Sequence, residues 1–222
     1  MKKLGLLIFI IALTIGLIFT PNCSVGNMTG IKGSGTSKTE QRNVGGFTKV
    51  DAGGAMNVEV DAQKDFSVSV EADDNLLQHI KTEVSGDTLK IYSEGKISPS
   101  AKLNVKISMP AIEGLNISGA SDGKITNVRA DSFELKASGA SEVTISGEVK
   151  NLEADASGAS EIDAEGLKVE DATIEASGAS SALVSASNNL EANASGASKI
   201  SYAGEPKNIK QNSSGASSIN KK

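Results

Sequence analysis

The tetrapeptide Ser-Gly-Ala-Ser occurs six times in the second half of this 222-residue chain, and the copies are almost evenly spaced. Successive copies begin 20, 19, 20, 18 and 19 residues apart. A period of about 19 residues is too short for an array of helical repeats, whereas it suits one turn of a β-solenoid. We predict a corner at each copy, formed by Ser118 and Gly119, Ser138 and Gly139, Ser157 and Gly158, Ser177 and Gly178, Ser195 and Gly196, and Ser214 and Gly215.

Apolar and polar residues alternate on both sides of each copy. Around the second copy, Phe133, Leu135 and Ala137 precede the tetrapeptide, and Val143 and Ile145 follow it. Period-two alternation indicates β-strands, because successive side chains point to opposite faces. Each repeat is therefore predicted to form a strand, a tight corner, a second strand and a polar return such as residues 147–151. The expected fold class is all-β: a parallel β-helix, or β-solenoid, with coils of about 19 residues.

The composition of the corner has a mechanical interpretation. Gly permits a positive φ or a close approach of the backbone where the chain turns, and stacked Ser hydroxyls can bond to neighbouring coils. Regular ranks of hydroxyls on a flat face also suit carbohydrate or ice binding, so a structural ladder and a ligand-binding surface are both open interpretations. The inward positions of the last copy are polar, at Gln211 and Ser213, as expected of a capping repeat.

The front half of the chain has a more varied sequence than the repeats that follow it. Alternating segments at 57–60, 66–70, 89–92 and 103–107 predict strands, and residues 75–81 predict a short helix or turn. Gly53, Gly54 and Ala55 resemble a degenerate copy of the later corner. We therefore expect the solenoid to begin here, with more apolar coils, and residues 41–222 to form one domain.

The first 22 residues are predicted to be a secretory signal, since two lysines precede an uncharged apolar stretch at 4–19. The only cysteine, Cys23, follows directly, so an intramolecular disulfide is impossible. Its position resembles the lipidated Cys of bacterial lipoproteins. The alternative is a cleaved signal or an uncleaved anchor with a free thiol.

Residues 24–40 are rich in Gly, Ser, Thr and Asn and lack periodicity, which predicts a flexible tether. Segment 23–40 is accordingly interpreted as a lipidated Cys with its tether. These features predict an exported protein that is lipid-anchored at the outer membrane or cell surface, with the membrane as one partner.

Composition argues against several classes of function. The net charge is −5 and the only arginines are Arg42 and Arg129, whereas a nucleic-acid partner would require a basic stripe. The single His79 and single Cys23 exclude a His/Cys metal cluster by count. Asp73 and Asp74 are interpreted as a turn cap rather than a cation site. We expect no metal, no cofactor and no catalytic residue.

One file of acidic residues keeps an enzymatic alternative open. Asp122, Glu142 and Glu161 each stand one residue after a corner and would stack at about 4.8 Å. Carboxylates at that spacing suit glycoside chemistry or calcium, whereas the simpler interpretation is a solvated acidic edge that discourages aggregation.

Five short segments carry a family resemblance. They are residues 47–50, 58–60, 89–91, 107–110 and 115–121. In their sequence and order, over roughly residues 42–218, the chain resembles the auto-transporter adhesin "head GIN" domain family, formerly a domain of unknown function. The resemblance implies a secreted or lipid-anchored β-solenoid of the Bacteroidota type, and it carries over no catalytic residue.

Three functional hypotheses follow. The leading one is a non-catalytic, lipid-anchored envelope protein whose rigid solenoid surface serves adhesion or assembly, with a glycan or a protein as ligand. The alternative is a polysaccharide-active β-helix enzyme, a lyase or hydrolase, that would use Glu142 and Glu161. The third is a scaffold that forms a homo-oligomer through the open end of the solenoid.

Overall fold

The computed structural model describes residues 30–222, which form fifteen β-strands and one short 3₁₀ helix, Leu77–His79. The predicted secretory signal and Cys23 lie outside these residues. The strands are β1 (Ser37–Arg42), β2 (Lys49–Gly54), β3 (Asn57–Ala62), β4 (Ser67–Asp73), β5 (Ile80–Ser85), β6 (Thr88–Ser93), β7 (Asn104–Met109), β8 (Gly114–Gly119), β9 (Asp122–Ala137), β10 (Glu142–Ala156), β11 (Glu161–Ala176), β12 (Ser181–Ala194), β13 (Lys199–Ala203), β14 (Asn208–Ser213) and β15 (Ser218–Lys221).

The repeats form a parallel β-solenoid, as the period predicted. Strands β9, β10, β11 and β12 pair side by side in parallel, and equivalent residues of successive repeats are register partners. One file of partners runs from Phe133 through Leu152 and Ala172 to Leu190. Each coil thus covers the apolar face of the coil before it, which no single repeat can do alone.

The residues predicted to point inward line the core. From the second copy onward, the residues one, three and five before the tetrapeptide are buried until the last copy, where Ile209 is 46% exposed. Large side chains such as Phe47, Leu76 and Ile91 fill the N-terminal end. Alanine occupies many of the inward positions of the later coils, at Ala154, Ala156, Ala164, Ala172, Ala176, Ala182, Ala186, Ala192 and Ala194. Because alanine buries little apolar area, main-chain pairing matters more in these coils.

The predicted polar return is instead part of the ladder. Residues 147–151 belong to β10, and Val149 is buried and pairs in register with Ala130 and Val169. The chain bends at Gly147, which has a φ of 141°. The prediction was wrong because residues 147–151 contain a single inward residue between charged neighbours, which is too short a pattern for period-two alternation.

The front half begins the solenoid at the predicted degenerate corner, but its coils are not stacked in chain order. Strand β2 pairs in parallel with both β6 and β8, and β3 pairs in parallel with both β7 and β9. The first coil therefore lies between the second and the third. Strands β4 and β5 form the intervening excursion and pair antiparallel with β7 and β6. The predicted turn in residues 75–81 contains the 3₁₀ helix.

The predicted flexible tether is wrong from residue 30 onward, where the chain is already part of the fold. Ile31 forms a bridge with Ile97, and β1 pairs antiparallel with β4 along its whole length. A Gly- and Ser-rich composition suggested disorder, whereas the free edge of β4 provides main-chain partners that composition cannot reveal.

Candidate functional site

The six corners and the degenerate corner form one continuous file along the solenoid. The backbone N–H of each corner Ala donates to the carbonyl oxygen of the Gly one coil below, at 2.7–2.8 Å. The acceptors, in order, are Gly54, Gly119, Gly139, Gly158, Gly178 and Gly196. At the six tetrapeptides this Gly has a φ between 73° and 83°, the left-handed region that disfavours other residues. This backbone conformation is the physical reason that each of these corners contains glycine.

The two serines of each tetrapeptide have different environments. The fourth residue is buried in the first five copies, and in three of them, Ser160, Ser180 and Ser198, its hydroxyl donates to a carbonyl oxygen of the coil below. In one example the Oγ of Ser180 lies 2.9 Å from the carbonyl oxygen of Ala156 and 2.8 Å from that of Ser177. The first Ser is half-buried in the first five copies, and in residues 30–222 its hydroxyl forms no side-chain hydrogen bond. The structural ladder thus belongs to the fourth position.

Removal of a bonded hydroxyl is expected to destabilise the corner. Ser180→Ala leaves the carbonyl oxygen of Ala156 with one donor fewer and should cost about 1 kcal/mol of unfolding free energy. The midpoint of thermal unfolding should fall by about 2–4 °C. Circular dichroism at the β-sheet band during a temperature scan measures this shift.

Ser141 provides the matched control for Ser180→Ala. Its hydroxyl is equally buried, but it has no hydrogen-bond partner. Ser141→Ala should leave the midpoint unchanged or raise it slightly, because it removes an unsatisfied polar atom. Equal losses for the two variants would contradict a stabilising role for the Ser180 hydroxyl.

The acidic file is present as predicted. Asp122 is in register with Glu142, and Glu142 with Glu161, and all three side chains are exposed on the outer face. Within residues 30–222, no group of three or more His, Cys, Asp or Glu side chains has the arrangement needed to hold a metal ion. The geometry is that of a solvated charged edge.

Ion pairs link several neighbouring side chains on the outer surface. The Nζ atom of Lys136 lies 2.5 Å from Glu134, and that of Lys150 lies 2.6 Å from Asp131. These lysine hydrogen bonds hold the pKa of Glu134 and of Asp131 below the usual range. The pairs therefore contribute stability above the ordinary carboxyl pKa and lose it as pH falls through the lowered pKa. Because the groups are exposed, the contribution is small.

The remaining candidates have structural roles. His79 is half-buried at the end of the 3₁₀ helix, and its carbonyl oxygen accepts from the backbone N–H of Glu94. Asp74 accepts from the Ser34 hydroxyl at 2.5 Å and from the backbone N–H of Asn75, and these bonds lower its pKa. Asp73 accepts from the backbone N–H of Gly35. These acids cap a turn, as predicted, and also hold the incoming chain.

No helix in the described part of the chain is long and apolar enough to cross a membrane.

The structure adds one feature that sequence reasoning missed. Two adjoining hollows of about 450 and 340 Å³ lie on the outer face of β4, β7, β3, β9 and β10, and they share Glu59, Lys106 and Lys124. These residues come from three strands that are distant in sequence. The only sequence signal was alternation within each strand, which cannot tell which strands are neighbours.

Comparison with known proteins agrees with this architecture. A family model described as "Putative auto-transporter adhesin, head GIN domain" matches residues 46–206. The chain belongs to this family. The matched residues include β2 to β13 and five of the six tetrapeptides. No curated protein matches the chain significantly.

Solved structures from Bacteroides and Parabacteroides species share the fold of this head GIN protein. A "putative adhesin" from Bacteroides fragilis is 19% identical, with a TM-score of 0.70 over 87% of this chain and 100% of that chain. A "putative adhesin" from Parabacteroides distasonis is 22% identical, with a TM-score of 0.56 over 86% and 99%. A "Putative lipid binding protein" from the same species is 23% identical, with a TM-score of 0.50 over 86% and 99%. At these identities the likeness concerns the fold alone.

Proposed function

We propose that this head GIN protein is a non-catalytic, lipid-anchored protein of the cell envelope that presents a rigid solenoid surface for adhesion or assembly. The observation that carries the proposal is the continuous file of corners, in which every coil is tied to the next by main-chain hydrogen bonds. Such a stack holds its outward side chains at fixed positions and repeats them at about 4.8 Å. A fixed, periodic surface suits recognition of an extended ligand.

The path of the chain supports an anchor at one end of the solenoid. The first described residues join the layer of Ile97 and the edge strand β1, at the opposite end from β14 and β15. Cys23 precedes Gly30 by seven residues, which span at most about 25 Å. A lipid on Cys23 would therefore hold the antiparallel end near the membrane and direct the alanine-lined coils away from it.

The experiment compares the wild-type chain with Cys23→Ala in a Bacteroidota host. We expect wild-type protein to incorporate a labelled fatty acid and to be degraded when protease is added to intact cells. Cys23→Ala should lose the label and leave the membrane fraction. A wild-type protein without label would contradict the lipid anchor, and protection from protease in intact cells would contradict surface presentation.

A separate assay tests the non-catalytic part of the proposal. The exposed acidic file and the absence of a metal-binding cluster in residues 30–222 support a surface without catalysis. Uronate polymers incubated with the full chain are expected to keep their length. Cleavage that is lost in Glu142→Gln and Glu161→Gln would overturn the proposal in favour of a polysaccharide-active enzyme.

A further inference from the structure

The two hollows on the outer face meet at a row of side chains that we name the polar platform. It consists of Ser69, Lys106, Glu59, Lys124 and Thr144, which are consecutive register partners across β4, β7, β3, β9 and β10. Strand β4 is the antiparallel excursion, so the platform is wider than the parallel coils alone. All five side chains point outward, and all are exposed except the half-buried Ser69.

The side chains of the polar platform have no partners, unlike those of the row through Asp61. Within residues 30–222, none of its five side chains forms a hydrogen bond or an ion pair, although Glu59 lies between two lysines. On one side, Asp61 is bound by Lys64, Thr126 and Asn127. The row through Asp61 is therefore satisfied, while two ammonium groups, one carboxylate and two hydroxyls of the polar platform face solvent in the hollows.

On the proposal that the protein is an adhesin, we infer that the polar platform binds an acidic glycan. Carboxylates of the glycan accept charge-assisted hydrogen bonds from Lys106 and Lys124, and sugar hydroxyls donate to Glu59 and exchange hydrogen bonds with Ser69 and Thr144. The two lysines are two strands apart, about 10 Å. This spacing corresponds to two sugar rings of an extended chain, so carboxylates on alternate sugars fit best.

The surroundings favour a glycan over an acidic peptide. Strands β7, β3 and β9 are paired on both sides, so they have no free main-chain edge to which a peptide could add as a strand. Their apolar side chains, such as Val58 and Val105, are buried inside the solenoid and leave no apolar pocket for side chains. The adjacent row contains Glu71, Asp122 and Glu142, which repel ligands of high charge density.

The test measures binding to the full chain, purified in detergent, by calorimetry at low salt. The probes are a hyaluronan oligosaccharide, whose carboxylates lie on alternate sugars, its carboxyl-reduced form, and a polyglutamate of equal charge. We expect binding of the first probe alone. Lys106→Gln with Lys124→Gln should weaken it about tenfold, and 0.5 M salt should weaken it further.

Lys168→Gln with Lys199→Gln is the control, since both lysines are exposed, lie outside the polar platform and produce the same change in net charge. It should bind as the wild type does, and thermal unfolding should show all variants folded. Three results would each overturn the proposal: an equal loss of hyaluronan affinity in the two double variants, binding of polyglutamate as tight as that of hyaluronan, or no binding of hyaluronan. An adhesion assay with whole cells distinguishes failure of the glycan site from failure of the proposed adhesin function. Adhesion without glycan binding contradicts only the glycan site, whereas the loss of all adhesion contradicts the proposed function.

Discussion

Gly139→Ala is expected to lower the free energy of unfolding by about 3 kcal/mol. Gly139 has a φ of 80°, which costs a residue with a Cβ about 1–2 kcal/mol. A Cβ there would also lie 2.4 Å from the carbonyl oxygen of Gly119, the acceptor for the backbone N–H of Ala140. Relief of that contact must separate two coils, which adds the cost of overpacking. The midpoint of thermal unfolding should fall by about 6–12 °C.

Gly86→Ala is the control that separates the cost of the left-handed φ from the cost of the contact between coils. Gly86 has a φ of 65°, but nothing lies within 4 Å of the position that a Cβ would take. The Gly86→Ala variant should lose only about 1 kcal/mol of unfolding free energy, which is the cost of the left-handed φ. If Gly139→Ala were no worse than Gly86→Ala, close stacking of the corners would not be what requires glycine, and the continuous corner file would lose its stabilising role.

Phe133→Ala is expected to cost about 3–5 kcal/mol, because it removes a large buried side chain from a thin core. Phe133 is 2% exposed and lies in the file that continues with Leu152 and Ala172. Chemical denaturation followed by circular dichroism should show a clearly lower midpoint.

Phe66→Ala is the matched control, with the same loss of a ring from a different environment. Phe66 is 41% exposed, and its ring packs on Phe47 with a centroid separation of 5.1 Å. We expect a loss of about 1 kcal/mol, mostly from this aromatic contact. Similar losses for the two phenylalanines would mean that the core collapses around small side chains more readily than the alanine-lined coils suggest.

The two expected losses concern the two contributions that stabilise the solenoid, which are close stacking of the corners and burial of a small number of large side chains. Late coils such as β12 bury mostly alanine, so their order depends on the main-chain ladder and on the serine hydroxyls at the corner. The early coils contain Phe47, Met56 and Leu76 and would be the more stable part. The size of the buried side chains therefore decreases along the solenoid, and the end with the largest ones lies next to the proposed anchor.

The corner candidates were predictable, whereas the polar platform was not. Ser138 and Gly139 stand out because the same local pattern recurs at a fixed period, and a period is visible without knowledge of neighbours. Lys106, Glu59 and Lys124 belong to three strands with ordinary alternation, and their proximity depends on β3 lying between β7 and β9. The buried Val149 in the return was missed because its neighbours are charged.

The sequence by itself determined the coil: its length, its corners, its inward side chains and the parallel stacking of the last repeats. It could do so because each of these follows from residues close together along the chain and is repeated several times. Only the tertiary structure decided the order of the first coils, the pairing of β1 and β4 and the face that carries the polar platform. These depend on which distant strands share main-chain hydrogen bonds, and many strands with the same alternation compete equally well until the whole chain is packed.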